Sequence, residues 1–236
     1  MKRFYKQVDA APVAGGWQVT LDGRALKTVA GNQQVVPTQA LAAALAAEWA
    51  AQGDKIDPGS FLLRDMADYA IDVVSAERTS AIAAILAYGE TDTLCYRAEA
   101  GEYLHDRQMA VWEPLLLAAE RRWDIHFERV SGIIHRPQPR ATLARLEAVL
   151  SAESDFALAA LKTLASLAAS LVIGLAALSG DAAVDALWDA ANLEEDWQAD
   201  LWGKVDDAME LRERRLLTFR AATEFAQMAR GEMARD

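Results

Sequence analysis

The chain has 236 residues, and 24 Lys or Arg against 35 Asp or Glu give it a formal charge of −11. With 53% hydrophobic and 25% charged residues, its composition is that of a globular protein and excludes a disordered chain. The acidic balance argues against binding to nucleic acid, because contacts with phosphates need concentrated positive charge. A single cysteine, Cys95, excludes an intrachain disulfide and favours a reducing compartment.

The first 37 residues have the alternating pattern of β-strands. Residues 4–8 and 17–21 alternate bulky and polar side chains, and Asp22-Gly23 supplies a tight turn after the second run. Residues 24–28 and 34–36 continue as returning strands. The N-terminal segment is therefore predicted to form three or four short strands.

Helical periodicity then replaces the strand pattern. Thr38 is a suitable N-cap for a helix predicted over 39–52, in which large apolar residues recur at fourfold spacing. The stretch 124–134 is an exception and is predicted to form a strand or ribbon. Further helices are predicted over about 63–75, 79–88, 104–122, 141–150, 156–178, 182–191, 193–201 and 206–229.

These elements predict an α+β fold with two domains. Residues 1–80 are expected to form a small N-terminal domain of short antiparallel strands plus helices. Residues 81–236 are expected to form a larger all-α C-terminal domain. No internal period of 20 to 50 residues is present, which excludes a repeat protein.

One stretch approaches the length of a membrane-spanning helix. Residues 163–180 are uncharged and lie between Lys162 and Asp181. Alanine, serine and glycine supply little of the transfer energy that insertion requires, so we expect a buried central helix and no membrane insertion. The N-terminus is positively charged but has no apolar run behind it, which argues against a secretory signal.

The sequence lacks the common motifs of enzyme chemistry. It contains no Walker-type phosphate loop, no Gly-x-Gly-x-x-Gly fingerprint and no Gly-x-Ser-x-Gly elbow. Cys95 has apolar neighbours and is interpreted as a small buried hydrophobe. His105, His126 and His135 are scattered along the chain. We therefore expect no catalytic residue, no metal site and no cofactor.

Negative charge is concentrated at the C-terminus, where residues 181–236 hold 7 basic and 14 acidic groups. Trp188, Trp197 and Trp202 alternate with acidic residues in the same region. Aromatic side chains among polar ones are typical of protein–protein hot spots. The alternative is a solvated helical face that keeps the protein soluble.

A set of short motifs in a fixed order extends over most of the chain. They are Phe4-Tyr5-Lys6, Leu21-Asp22-Gly23-Arg24, Leu26-Lys27-Thr28, Val36-Pro37-Thr38, Glu48-Trp49 with Gln52, Ala70-Ile71-Asp72, Tyr88, Thr91-Asp92, Tyr96-Arg97-Ala98, Trp112-Glu113-Pro114-Leu115, Gln138-Pro139, Leu193-Glu194-Glu195 and Trp202-Gly203. Together they resemble the assembly-chaperone family for the alpha subunit of the soluble head of F-type ATP synthase, found in mitochondria and alphaproteobacteria. The resemblance covers about residues 4–230.

The resemblance implies a non-enzymatic, two-domain protein. Members of the family bind the unassembled alpha subunit, prevent its aggregation and release it to the beta subunit. The family's functional acidic segment matches Glu194 and Glu195, with Trp202 nearby. Adding Trp188 and Trp197 from the same region gives the predicted partner-binding set. We expect a monomer located in a bacterial cytoplasm, or in the mitochondrial matrix for a processed eukaryotic form.

Two other classes of protein remain open at this point. One is an acid/base hydrolase that works in a cleft between the two domains, recognisable by convergent carboxylates with shifted pKa values. The other is a permanent structural subunit, which would copurify with the assembled synthase in a fixed ratio.

Overall fold

The computed structural model describes residues 1–132, 134–180, 182–203 and 206–231. The chain forms two compact units. Unit 1 contains Met1–Ala81, Ser154–Ala160 and, as far as it is described, Ala221–Asp236. Unit 2 contains the described residues of Ile82–Glu153 and Leu161–Arg220. The division into domains at 1–80 and 81–236 stays a prediction.

Short strands occupy the N-terminus and helices follow, as predicted. The strands are β1 (Val8–Val13), β2 (Gly16–Leu21), β3 (Arg24–Ala25), β4 (Val35–Val36), β5 (Tyr96–Arg97) and β6 (Val130–Ser131). The helices are α1 (Gln39–Ala50), α2 (Leu62–Tyr69), α3 (Arg78–Glu90), α4 (Tyr103–Trp123), α5 (Arg140–Ala152), α6 (Asp155–Ala168), α7 (Leu171–Ser179), α8 (Val184–Ala191), α9 (Leu193–Trp202) and α10 (Asp206–Arg230).

Unit 1 is built on an antiparallel sheet in which β2 pairs with β1, β3 and β4. The predicted turn at Asp22-Gly23 joins β2 to β3, and both turn residues have positive φ. The strand predicted at 4–8 was wrong, because β1 begins only at Val8. Tyr5 precedes this strand and donates its hydroxyl to the Trp49 carbonyl oxygen at 2.7 Å.

The helix predicted over 39–52 is confirmed as α1. Thr38 caps it by accepting a hydrogen bond from the Leu41 N–H at 3.2 Å, as expected. The helix predicted over 63–75 is instead divided into α2 and a π-helical turn, Ala70–Val74. Asp72 in that turn accepts a hydrogen bond from the Thr28 hydroxyl at 2.6 Å, so two separate motifs of the sequence meet here.

In unit 2 the long apolar helix predicted over 156–178 is broken. α6 ends at Ala168, Ala169 has a φ of +48°, and Ser170 caps α7 by accepting from the Ile173 N–H. The apolar run is largely buried, as expected. No helix in the described ranges combines the length and apolarity needed to cross a membrane.

The strand predicted within 124–134 is present only as β6. It pairs in parallel with β5, with Tyr96 opposite Val130 and Arg97 opposite Ser131. Ile133, which belongs to the predicted segment, lies outside the described residues.

A buried carboxylate holds the start of α7. Asp92 is fully buried and accepts hydrogen bonds from the backbone N–H groups of Leu94 at 3.0 Å and Val172 at 2.9 Å. Burial raises the pKa of Asp92 to about 6, although the hydrogen bonds oppose the shift. The folded chain therefore binds this proton more tightly than the unfolded chain does.

We expect Asp92 to make the protein less stable as pH rises. Its contribution is present at low pH and is lost as the pH passes through the folded-state pKa near 6. Urea unfolding measures the free energy of unfolding of the wild type and of Asp92→Asn, in which this position does not titrate. From pH 5 to pH 7.5 the value for the wild type should fall by about 1 kcal/mol relative to that of the variant. A constant difference between the two proteins over this range would contradict the assignment.

Candidate partner-binding site

The five predicted site residues lie on two consecutive short helices of unit 2. α8 ends at Ala191 and α9 begins at Leu193, so Asn192 alone joins them. The side-chain amide of the buried Asn192 donates to the Trp188 backbone carbonyl oxygen at 2.8 Å. The backbone carbonyl oxygen of Asn192 accepts from the Asp196 N–H. The acidic residues of the first turn of α9 suit the positive end of the helix dipole.

Glu194 points toward the interior of unit 2. Its carboxylate accepts a 2.7 Å hydrogen bond from the side-chain amide nitrogen of Gln108, a fully buried residue of α4. The amide oxygen of Gln108 accepts from the Ala98 N–H at 2.8 Å, which fixes the orientation of the amide. Glu194 is thus a positioning residue that ties α9 to α4.

Glu195 lies on the outer side of the same helix. Its side chain is 64% exposed, and its carboxylate lies 3.8 Å from the Arg215 guanidinium. An exposed ion pair at this distance is weak and remains open to exchange. The structure therefore separates two adjacent glutamates that the sequence alone left equivalent.

The three tryptophans have different surroundings. Trp188 is 2% exposed and packs against Phe219, with ring centroids 5.5 Å apart. Trp197 is half-buried, and the Arg107 guanidinium lies 5.4 Å from its ring centroid. Trp202 is 79% exposed at the end of α9. Trp202 therefore presents the largest open aromatic surface of the set, while Trp188 supports the site from within.

Arginines from other helices cross this acidic surface. The Arg212 guanidinium in α10 lies 2.6 Å from Asp196 and 3.4 Å from Asp189, which joins α10 to both α9 and α8. Arg107 in α4 lies 3.6 Å from Asp200. These contacts hold like-charged carboxylates close together by placing a positive charge between them.

Sequence reasoning missed these arginines and Gln108. Each lies far along the chain from its acidic partner, and Gln108 and Glu194 are 86 positions apart. A polar residue within a helix, whether buried like Gln108 or exposed like Arg107, occurs in many proteins for many reasons. A single sequence gives no means of pairing such residues.

Carboxylates with raised pKa values have structural partners elsewhere. Burial raises the pKa of Glu48, Asp68, Asp92 and Asp196. Each of these carboxylates accepts a hydrogen bond from an N–H group of this chain. The donor to Asp196 is the Arg212 guanidinium. These partners account for the four groups without a substrate.

The surroundings of Cys95 and of the described metal-ligand residue types do not favour a catalytic thiol or a metal site. Cys95 is buried, and burial raises the pKa of its thiol, which makes it a poor nucleophile. Within the described part of the chain, no group of three or more His, Cys, Asp or Glu residues has an arrangement that could hold a metal ion.

A helical surface that combines exposed aromatic and acidic side chains is typical of a protein-binding protein. The family model described as ATP12 chaperone protein matches residues 2–120. The chain therefore belongs to the ATP12 chaperone family, whose members are assembly chaperones for ATP synthase.

Solved structures and a curated relative agree with this membership. Atp12 from Paracoccus denitrificans is 33% identical, with a TM-score of 0.89 over 97% of this chain and 98% of that one. A candidate chaperone from Agrobacterium tumefaciens is 37% identical, with a TM-score of 0.92 over 96% of this chain and 85% of that one. The mitochondrial protein atp12 of Schizosaccharomyces pombe is 26% identical and is covered over 76% of its length by 89% of this chain.

Gln108→Leu should destabilise the protein by about 1 to 3 kcal/mol. The substitution keeps the volume of the side chain but leaves the Ala98 N–H and the Glu194 carboxylate without their partner. Urea unfolding measures the loss. The matched control is Gln198→Leu at an exposed position of α9, where we expect a change within about 0.5 kcal/mol. Equal free energies of unfolding for the two variants would contradict the assignment of Gln108 as an anchor of α9.

Proposed function

We propose that this chain binds the unassembled alpha subunit of F-type ATP synthase, shields its exposed interface from aggregation and releases it to the beta subunit. Membership of the ATP12 chaperone family supports an assembly function. The observation that carries the docking site is the exposed surface of α9. There Trp202 is 79% exposed, Leu201 is 58% exposed and the Glu195 side chain is 64% exposed.

Large apolar side chains at adjacent exposed positions have a cost in a free protein. They order water around them and promote self-association unless a partner covers them. Acidic neighbours on the same helix counter that tendency by charge repulsion between copies. The combination suits a surface that is free for part of its life and covered for the rest.

The proposed chaperone works through binding equilibria alone. The orphan alpha subunit exposes an apolar interface, and binding to it lowers the concentration of the aggregation-prone free form. The beta subunit then competes for the same interface. Affinity for the chaperone must be high enough to outcompete aggregation and lower than the affinity between the two subunits.

We further propose that the chain acts as a monomer in a bacterial cytoplasm. The two solved relatives named above come from bacteria, whereas the fission-yeast relative is named mitochondrial. The formal charge of −11 supports a protein partner with basic groups and not a nucleic acid.

Glu195→Lys should weaken capture of the alpha subunit while leaving the fold intact. The change reverses the charge at an exposed position of α9 and places a second cation beside Arg215. Long-range attraction of a basic partner is thereby reduced, so we expect a slower association rate. A pull-down of the alpha subunit from co-expressing cells, together with association kinetics at low salt, measures the effect.

The matched control is Glu147→Lys, which makes the same charge change at an exposed position of α5. Both variants should retain the wild-type melting temperature to within a few degrees, because neither glutamate is buried. Equal capture of the alpha subunit by Glu195→Lys and Glu147→Lys would refute the placement of the docking surface on α9.

A further inference from the structure

A groove of about 300 Å³ lies among α8, α9 and α10 within unit 2. Its apolar lining comes from all three helices: Trp188 from α8, Ala199 from α9, and Ala208, Met209 and Leu216 from α10. Ala199 is a small residue in this lining, and Met209 is 42% exposed. A volume of this size is at the lower end of ligand pockets, which suits one large side chain better than a whole helix.

The charged residues of the groove are mostly acidic. Asp189, Glu195, Asp196 and Glu213 supply four carboxylates, while Arg212 supplies one guanidinium. Arg212 already contacts Asp189 and Asp196. The groove therefore keeps a net negative charge, which attracts a cationic neighbour of the side chain that enters it and repels an acidic one.

We propose that this groove receives a Leu, Met or Phe side chain from a positively charged segment of the unassembled alpha subunit. The apolar side chain packs against Trp188, Ala199 and Met209. A Lys or Arg beside it pairs with the groove carboxylates. This inference rests on the proposed function and specifies what the site recognises.

Filling the groove tests the proposal directly. Ala199→Trp places a large ring in the apolar lining, and the control Ala148→Trp makes the same change at an exposed position of α5. Light scattering follows aggregation of the purified alpha subunit as each full-length chain is titrated in. We expect Ala199→Trp to require at least about tenfold more protein for half-protection, and Ala148→Trp to match the wild type.

A fluorescent probe on Met209, a lining residue that is 42% exposed, gives a second measurement. Met209→Cys carries a bimane label in the groove, and Leu211→Cys carries it two residues further on, about 200° around α10. The native Cys95 is buried and will not compete for the label. Addition of the alpha subunit should shift the emission at position 209 to the blue and leave position 211 unchanged.

The possible outcomes separate the two proposals. Precipitation of the alpha subunit at the same rate with and without the wild-type chain would defeat the proposed function. Protection by the wild type and by a folded Ala199→Trp alike would overturn the groove while the function stands. If Ala199→Trp fails to fold, the bimane label at position 209 provides the test. An emission spectrum that does not change on addition of the alpha subunit would then overturn the proposal for the groove.

Two further measurements identify what occupies the groove. A blue shift that grows with the concentration of the chain alone would show that a second copy fills the groove, and would overturn the proposal. Capture of the alpha subunit with equal affinity at 50 mM and 500 mM NaCl would exclude a basic segment. A decline over that range supports one, because salt screens charge attraction.

Discussion

The orientation of the acidic helix depends on two hydrogen bonds from buried side chains of α4. Gln108 donates to Glu194 at the start of α9, and Trp112 donates its indole N–H to the Ala190 carbonyl oxygen at the end of α8, at 2.8 Å. Both bonds are short and specific in direction, and both donor residues are fully buried. Together they fix the corner between α8 and α9, so little conformational freedom remains to be lost when a partner binds.

This anchoring assigns opposite roles to neighbouring residues. Because Glu194 is committed to the interior, the next position along the helix, Glu195, must face outward. The same division applies to the aromatic residues, since Trp188 packs inside while Trp202 is open to solvent. A helix with one satisfied polar face and one open face holds its exposed side chains in place without covering them.

Local signals made much of the fold predictable, whereas long-range contacts did not. Thr38 and the helix after it follow from capping and periodicity, which act over a few residues. The break at Ala169 was missed because its positive φ depends on packing, and alanine gives no warning of it. Likewise the acidic and aromatic content of α9 was visible in the sequence, but the inward role of Glu194 required knowing that Gln108 lies beside it.

The ion pairs of the acidic surface bear on how a bound partner protein leaves again. Asp189, Asp196 and Asp200 already have arginine partners from this chain, so a basic segment that docks there exchanges one ion pair for another. Exchange among partly exposed pairs contributes little net free energy, although it orients the incoming segment. Most of the net affinity would then come from the apolar contacts. A competitor that covers more apolar surface on the partner protein displaces this chain without any energy-consuming step.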